Sequence, residues 1–105
     1  MTDGPTRVSV PIHEIESLAA AGNYVELAWA GRSLLHRATL AGMEEELGDG
    51  FVRVHRGLIV RADAIRTVQV ERSGDFAIDL ASGATVRGSR RYRDNLRLWS
   101  GETVV

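Results

Sequence analysis

Two arginine-rich segments hold the residue types in this chain that are best suited to binding an anion. They are Arg53-Val54-His55-Arg56-Gly57 and Arg87-Gly88-Ser89-Arg90-Arg91-Tyr92-Arg93. A guanidinium presents a planar fork of donors that fits phosphate oxygens and the edge of guanine. The small residues beside it let a backbone approach a phosphate closely. Each segment taken alone is more typical of a solvated surface loop, and the occurrence of both makes an anionic partner an equal alternative.

The charges of the chain are segregated along its length. The net charge is −1, which taken alone argues against a nucleic-acid partner. Residues 1–51 carry three arginines and eight carboxylates, whereas residues 52–97 carry ten arginines and five carboxylates. This segregation predicts a positive face that could meet an anionic partner. All 13 basic residues are arginine, which suits that role, although codon bias in a GC-rich genome is the simpler explanation.

Catalytic and metal-binding patterns are missing from the sequence. No nucleophile elbow surrounds Ser33, Ser73, Ser82 or Ser89. The histidines lie too far apart in sequence for a metal motif, namely His13, His36 and His55, and no cysteine is present. Neither the dinucleotide nor the Walker type of glycine-rich phosphate loop occurs. We therefore predict no enzymatic activity, no metal and no cofactor, with a site assembled from the histidines in space as the remaining alternative.

Length and hydropathy bound the organisation of the chain. A chain of 105 residues fits one domain, and we predict that residues 1–105 form a single domain. No apolar run reaches the length of about 18 residues that a membrane span needs. The N-terminal residues 1–5 lack the basic and apolar blocks of a signal peptide. By default, we expect a cytoplasmic protein without a membrane segment.

Short alternating segments separated by glycine turns dominate the chain. Strands are predicted over Arg7–Pro11, Ile15–Ala20, Tyr24–Trp29, Ser33–Arg37, Phe51–Val54, Leu58–Val60, Ile65–Glu71, Phe76–Leu80 and Ala84–Arg87. A helix is predicted over Thr39–Leu47, with Thr39 as its N-cap and residues 44–46 facing solvent. A second helix could form over Ser89–Trp99, and Trp29 and Trp99 are expected in the core. The pattern predicts a mainly β fold.

The segment Phe51–Val60 closely resembles the signature of the LytTR domain, the DNA-binding output domain of LytR/AlgR-type response regulators. In that signature a strand with an aromatic residue leads to His-Arg, a small residue and an Ile-Val-Asn-like end. Further landmarks follow in the family's order: Ile15 to Gly22-Asn23-Tyr24-Val25, Arg37-Ala38-Thr39-Leu40, Ala62-Asp63-Ala64-Ile65 and Gly88-Ser89-Arg90-Arg91-Tyr92. The resemblance covers roughly residues 8–99, and it is specific because several motifs occur in order.

The resemblance implies an elongated antiparallel β-sheet fold, with one or two short helices, that binds double-stranded DNA. In this family loops, rather than a recognition helix, enter successive major grooves. Carried over residue by residue, the base-contacting residues are Asn23, Tyr24, Arg56, Arg90 and Arg91. The phosphate-contacting residues are Arg37, Arg53, His55, Arg61 and Ser89. For His55 the alternative is a partly buried side chain that satisfies nearby backbone groups.

Two departures from the family pattern bear on these predictions. Arg61 stands where the family often has Asn, so it either adds a phosphate contact or marks a different turn. Typical members are joined to a receiver domain or a membrane segment, and this sequence contains neither. We therefore expect either a free-standing regulator or part of a longer protein. Because members commonly recognise paired direct repeats, a second copy on the adjacent repeat is an expected partner.

Two other functions compete with DNA binding by a bacterial transcription regulator. A protein-interaction module would dock a partner on its acidic residues, Glu14, Glu16, Glu26 and Glu44–Glu46, and would show no salt-sensitive DNA binding. A small enzyme or ligand-binding protein would use His55 and nearby arginines on an anionic substrate. We take sequence-specific DNA binding at a promoter as the leading prediction.

Overall fold

Eleven strands and one α-helix make up most of the residues that the computed structural model describes, which are 2–3, 6–7, 10–98 and 102–104. The strands are β1 (Thr2–Asp3), β2 (Thr6–Arg7), β3 (Ile15–Ala21), β4 (Tyr24–Trp29), β5 (Arg32–His36), β6 (Phe51–His55), β7 (Leu58–Arg61), β8 (Ile65–Val70), β9 (Phe76–Leu80), β10 (Thr85–Gly88) and β11 (Glu102–Val104). The helix is α1 (Leu40–Leu47). Three 3-10 segments span Ile12–Glu14, Ala62–Ala64 and Arg90–Leu98.

The larger sheet has five strands in the order β5-β4-β3-β7-β6, and all its neighbours are antiparallel. Two-residue turns join β3 to β4 at Gly22-Asn23 and β4 to β5 at Ala30-Gly31. Gly22 has a φ of 64°, as the first position of a type II′ turn requires. Ala30 and Gly31 both have positive φ, at 48° and 73°, as in a type I′ turn. These turns match the twist of the strands and so fix their register.

The smaller sheet has four strands in the order β10-β9-β8-β11. β9 pairs antiparallel with both β8 and β10, whereas β11 runs parallel to β8. β1 and β2 form a separate antiparallel pair. The backbone N–H of Glu71 donates to the carbonyl of Asp75 at 2.8 Å, which closes the turn around Ser73-Gly74-Asp75 between β8 and β9.

Both faces of the larger sheet are buried at β7, which explains the continuous apolar run in this strand. Ile59 packs on one face in a core cluster with residues of β3, β4 and α1, namely Ile15, Leu18, Val25, Leu27, Leu40 and Met43. Val60 points the other way into a second cluster with β6, β8 and β9, which contains Val52, Val54, Ala64, Ile65, Val68, Phe76, Ile78 and Leu80. β7 therefore separates two cores while contributing to both.

Helix α1 begins and ends where the sequence predicts. The Thr39 hydroxyl accepts a hydrogen bond from the N–H of Gly42 at 3.1 Å, which caps the first turn. Leu40 and Met43 are buried, and Gly48 ends the helix with a φ of 78°. Residues 44–46 are exposed, as predicted.

The shape and the strand content confirm the predicted fold class. The principal-axis extents are 47 × 23 × 21 Å, so the molecule is elongated as well as mainly β. β5 begins and ends one residue earlier than predicted, at Arg32 and His36. No helix among the described residues is both long and apolar enough to cross a membrane.

Three predictions near the ends of elements need correction or lie beyond the described residues. The strand expected over Arg7–Pro11 is wrong at its end, because Pro11 lies outside any strand and residues 8–9 are not described. The final helix exists, but as a 3-10 segment over Arg90–Leu98, and Trp99 lies outside the described residues. Trp29 is half-buried and belongs to neither core cluster, because it lies at the open end of β4 beside the turn.

Candidate nucleic-acid interface

Two neighbouring hollows in the surface share Arg56 as a common wall. The Ser89 hollow is lined by His55, Arg56, Ser73, Asp75, Ser89, Arg90, Arg91 and Tyr92. The Tyr24 hollow is lined by Ala20, Gly22, Asn23, Tyr24, Val25, Arg37, Ala38, Thr39, Leu40, Ala41, Arg53 and Arg56. Nine of the ten residues predicted from the sequence to contact DNA therefore line one continuous surface.

Arg56 projects from a turn whose backbone is fixed by hydrogen bonds. β6 ends at His55 and β7 begins at Leu58, so Arg56 and Gly57 make the turn. The Nδ1 atom of His55 accepts a hydrogen bond from the N–H of Gly57 at 3.0 Å. The carbonyl of Gly57 accepts another from the N–H of Ala20 at 2.9 Å. The turn is thus anchored to β3, while the Arg56 side chain is exposed.

The ring of His55 fills one of its two predicted roles, the binding of a nearby backbone group. It satisfies a backbone group, the N–H of Gly57, but it is exposed rather than partly buried. Because Nδ1 is the acceptor, the neutral ring carries its proton on Nε2. That N–H is a donor of the kind that binds a phosphate oxygen, so phosphate contact by His55 stays a prediction.

The guanidinium of Arg53 is bound by other groups of the protein. Its Nε donates to the carbonyl of His55 at 3.2 Å, and its Nη2 donates to the carbonyl of Arg56. Its Nη1 forms an ion pair with Oε1 of Glu44 on α1, at 3.2 Å. The Arg53 side chain is only 19% exposed. Arg53 therefore braces the turn that carries Arg56, and direct phosphate contact by Arg53 stays a prediction.

The Ser89–Arg91 segment is held by two hydrogen bonds at the end of β10. The N–H of Ser89 donates to the carbonyl of Val54 in β6 at 2.8 Å. The N–H of Arg90 donates to Oδ1 of Asp75 at 2.9 Å. These bonds fix the start of the 3-10 segment against β6 and the β8–β9 turn. The side chains of Arg90 and Arg91 are left exposed to solvent.

The third loop is the tip of the β3–β4 hairpin. The type II′ turn presents Asn23, and Tyr24 follows with a side chain that is 43% exposed. Arg37, which comes directly after β5, lies exposed in the same hollow. The hairpin tip lines one hollow and the Ser89–Arg91 segment lines the other. The Arg56 turn borders both hollows.

Arg61 is not brought to this surface. Its Nε donates to the carbonyl of Ile15 at 3.0 Å. It lines a different hollow together with residues of both charges, including His13, Glu16 and Arg32. Phosphate contact by Arg61 stays a prediction, and it is the one site residue that the fold separates from the others.

The two hollows carry more positive than negative charge. Their exposed cations are Arg37, Arg56, Arg90 and Arg91. Among the residues that the structure describes, Asp75 is the one carboxylate that lines either hollow, and it accepts a backbone hydrogen bond there. An exposed cluster of this kind attracts a polyanion and offers forked donors to it.

Three residues that shape this surface are not among those predicted from the sequence. Glu44 pairs with Arg53, Asp75 holds the N–H of Arg90, and Asn95 donates through Nδ2 to the carbonyl of Arg53 at 2.8 Å. Their partners lie 9, 15 and 42 residues away, so no local pattern reveals them. Glu44 enters the sequence predictions only as one of the acidic residues Glu44–Glu46, which are expected to face solvent or a protein partner.

Comparison with known proteins gives a matching family, a related protein and a similar solved structure. The LytTr DNA-binding domain family matches residues 6–101. The positive alginate biosynthesis regulatory protein of Pseudomonas aeruginosa is 31% identical over 90 residues, which are 84% of this chain and 36% of that protein. The LytTr DNA-binding domain from a Bacillus cereus response regulator has a TM-score of 0.81 at 23% identity, over 91% of this chain and 89% of that one.

The elongated β fold and its loop-borne arginines are those of a DNA-binding module. The family match covers most of the residues. The chain belongs to the LytTr DNA-binding domain family. It spans 36% of the length of the Pseudomonas protein that it matches.

Proposed function

We propose that this chain is the sequence-specific DNA-binding module of a bacterial transcription regulator, with its loops reading successive major grooves of a promoter. The observation that carries the proposal is the position of Arg56 between two hollows lined by eight other residues of the predicted contact set. A polyanion that follows both hollows would pass directly over this side chain.

We assign base contacts to the exposed side chains at the tips of the three loops. Arg56 and Arg91 each present a fork that can bind O6 and N7 of guanine together. Asn23 carries an amide that can bind N6 and N7 of adenine. Tyr24 and Arg90 complete the base-contacting set, which rests on the family resemblance and on the exposure of the loops.

We assign phosphate contacts to groups that lie beside these tips. Arg37 offers an exposed cation, His55 a ring N–H and Ser89 a hydroxyl. Such contacts fix the register of a protein on the duplex without reading its sequence. Arg53 and Arg61 remain predicted phosphate contacts, although each uses guanidinium donors on backbone carbonyls.

We further propose that the chain works as part of a larger assembly on DNA. A single module of this size supplies few phosphate contacts, and because each such contact adds to the affinity for DNA, one copy alone should bind weakly. A second copy on an adjacent direct repeat would raise the affinity. A receiver or sensor domain elsewhere in the protein would supply the input, and the site of action would be the cytoplasm.

The test is selection from a randomised duplex pool, with sequencing of the bound fraction and fluorescence anisotropy at two salt concentrations. We expect enrichment of a short motif and an affinity that falls as salt rises. Arg32→Ala is the matched control for Arg56→Ala, because it also removes one exposed arginine, but from the hollow that contains Arg61. If no duplex is retained even at low salt, the proposal is wrong and the acidic protein-interaction surface becomes the better candidate.

A further inference from the structure

Glu44 and Arg53 form an ion pair that joins α1 to the Arg56 turn, which borders both hollows. The pair links Oε1 of Glu44 to Nη1 of Arg53 at 3.2 Å. The Glu44 side chain is 46% exposed, whereas that of Arg53 is 19% exposed. An isolated surface pair of this kind adds little to stability. The ion pair matters instead for the hydrogen bonds that the other guanidinium donors of Arg53 make.

Those remaining donors bind the two carbonyls that flank the side chain of Arg56. Nε binds the carbonyl of His55 at 3.2 Å, and Nη2 binds the carbonyl of Arg56 itself. The guanidinium is planar, so the direction of Nη1 fixes the directions of Nε and Nη2. Because Glu44 holds Nη1, it also sets the plane in which the turn carbonyls are bound.

The backbone of Arg53 extends this connection to the second arginine segment. Its carbonyl accepts a hydrogen bond from Nδ2 of Asn95, which lies in the 3-10 segment that begins at Arg90. One residue thus contacts the helix with its side chain, the Arg56 turn with its other donors, and the Arg90–Leu98 segment with its carbonyl.

We propose that the Glu44–Arg53 ion pair is a positioning device that determines selectivity for the base read by Arg56. This inference rests on the proposed function. A binding site must be held within about 0.5 Å of its productive geometry to keep a bidentate contact. Without the carboxylate, the guanidinium turns towards solvent, the turn carbonyls lose their donors and Arg56 samples more orientations.

Simple electrostatics predicts a different outcome, so the experiment can separate the two explanations. Removing a carboxylate near DNA reduces repulsion and should strengthen binding to every sequence. The positioning role predicts that removal of this particular carboxylate weakens discrimination at one base. Glu45 is the matched control, because it is the next residue on α1, is exposed and forms no ion pair among the described residues.

The experiment compares Glu44→Gln, Glu45→Gln, Arg53→Lys and Arg56→Ala by selection from a randomised duplex pool. Arg56→Ala identifies the base position that Arg56 reads. We expect Glu44→Gln to lower the preference at that same position by about fivefold or more. Arg53→Lys keeps the charge but lacks the fork, so it should do the same, whereas Glu45→Gln should leave the preference unchanged.

A second measurement reports on the turn in the free protein. We expect faster hydrogen exchange at the Gly57 N–H in Glu44→Gln than in Glu45→Gln, because the turn around it is less constrained. Equal exchange in these two variants, or equal preference at the Arg56 position, would overturn the inference. If the unmodified chain selects no motif, the proposed function fails, and Gly57 exchange alone then decides whether the pair positions the turn.

Discussion

The ring of Phe76 lies against the α-carbon of Gly88, its register partner across β9 and β10. A Cβ atom built on Gly88 would lie 2.1 Å from Cε2 of this ring. Phe76 is fully buried in the core cluster between the sheets, so the ring has no open space to move into. Gly88 also precedes Ser89, so the same contact sets where the second arginine segment leaves the sheet.

Gly88→Ala should therefore destabilise the fold. Overpacking of a filled core costs roughly 1–3 kcal/mol, and sometimes more. The free energy of unfolding from urea denaturation measures this loss. Gly50→Ala is the control, because a Cβ there meets no atom within 4 Å. Equal stability of the two variants would contradict the close contact between Phe76 and Gly88.

Arg56→Ala and Arg37→Ala should weaken DNA binding in different ways. Loss of the Arg56 fork should cost about 1–3 kcal/mol at one base position and relax the preference there. Loss of Arg37 should weaken binding to all sequences alike and reduce the salt slope by about one. Anisotropy titrations with the selected duplex and its single-base variants, at several salt concentrations, separate the two effects. A sequence-blind effect of both changes would contradict the assigned roles.

The free energy of unfolding should fall in acid, because the ionised carboxylate of Asp79 stabilises the fold. The hydroxyl of Thr67 donates to it at 2.7 Å and that of Thr85 at 3.0 Å, and these hydrogen bonds lower the pKa of Asp79. Because the folded pKa lies below the unfolded one, the stabilisation is complete above about pH 4. It is then lost as the pH falls through the folded pKa.

Replacement of a single hydroxyl donor tests this assignment. Thr67→Val keeps the branched shape but removes the stronger of the two donors, so the pKa of Asp79 should rise towards its ordinary value. NMR titration of the Asp79 side-chain carboxyl carbon measures the change. An unchanged titration would show that the Thr67 hydrogen bond does not hold the ionised form.

Ala30→Asn should stabilise the β4–β5 hairpin. Ala30 has a φ of 48°, which costs an L-residue with a Cβ roughly 1–2 kcal/mol. Asn tolerates this region better, and Asn-Gly is the preferred pair for a type I′ turn. We expect a gain of about 0.5–1 kcal/mol in thermal or urea unfolding. Ala30→Val should have the opposite sign, because a β-branched residue resists positive φ.

The hairpins and α1 could be predicted from the sequence because their signals are local. Alternating side chains bounded by Gly22-Asn23 and Ala30-Gly31 predict β4, and the Thr39 cap with Gly48 predicts α1. The prediction that Trp29 lies in the core was wrong. Alternation shows on which face of the sheet a residue lies, but not how far it is from the end of the sheet. It stands beside the turn, where the core clusters do not reach.

The role of Arg53 could not be predicted, because it depends on an irregularity in β6. The register between β6 and β7 shifts between Arg53 and His55. A bulge of this kind re-aims a side chain and leaves no trace in the hydrophobic pattern. The family resemblance located Arg56 and Arg91 by motif, but motifs do not report which arginine contacts a partner and which one braces the backbone.

The two-sided burial of β7 also bears on how the sheet finds its alignment during folding. A slip of one residue exchanges the faces of Ile59 and Val60, and two apolar side chains that differ by a methylene discriminate weakly between such alignments. The polar ends of the strand distinguish them instead, through the Gly57 carbonyl on Ala20 and the Arg61 guanidinium on Ile15. Arg61 thus helps to fix the alignment of β7, and the position of the Arg56 turn, which precedes this strand, depends on that alignment.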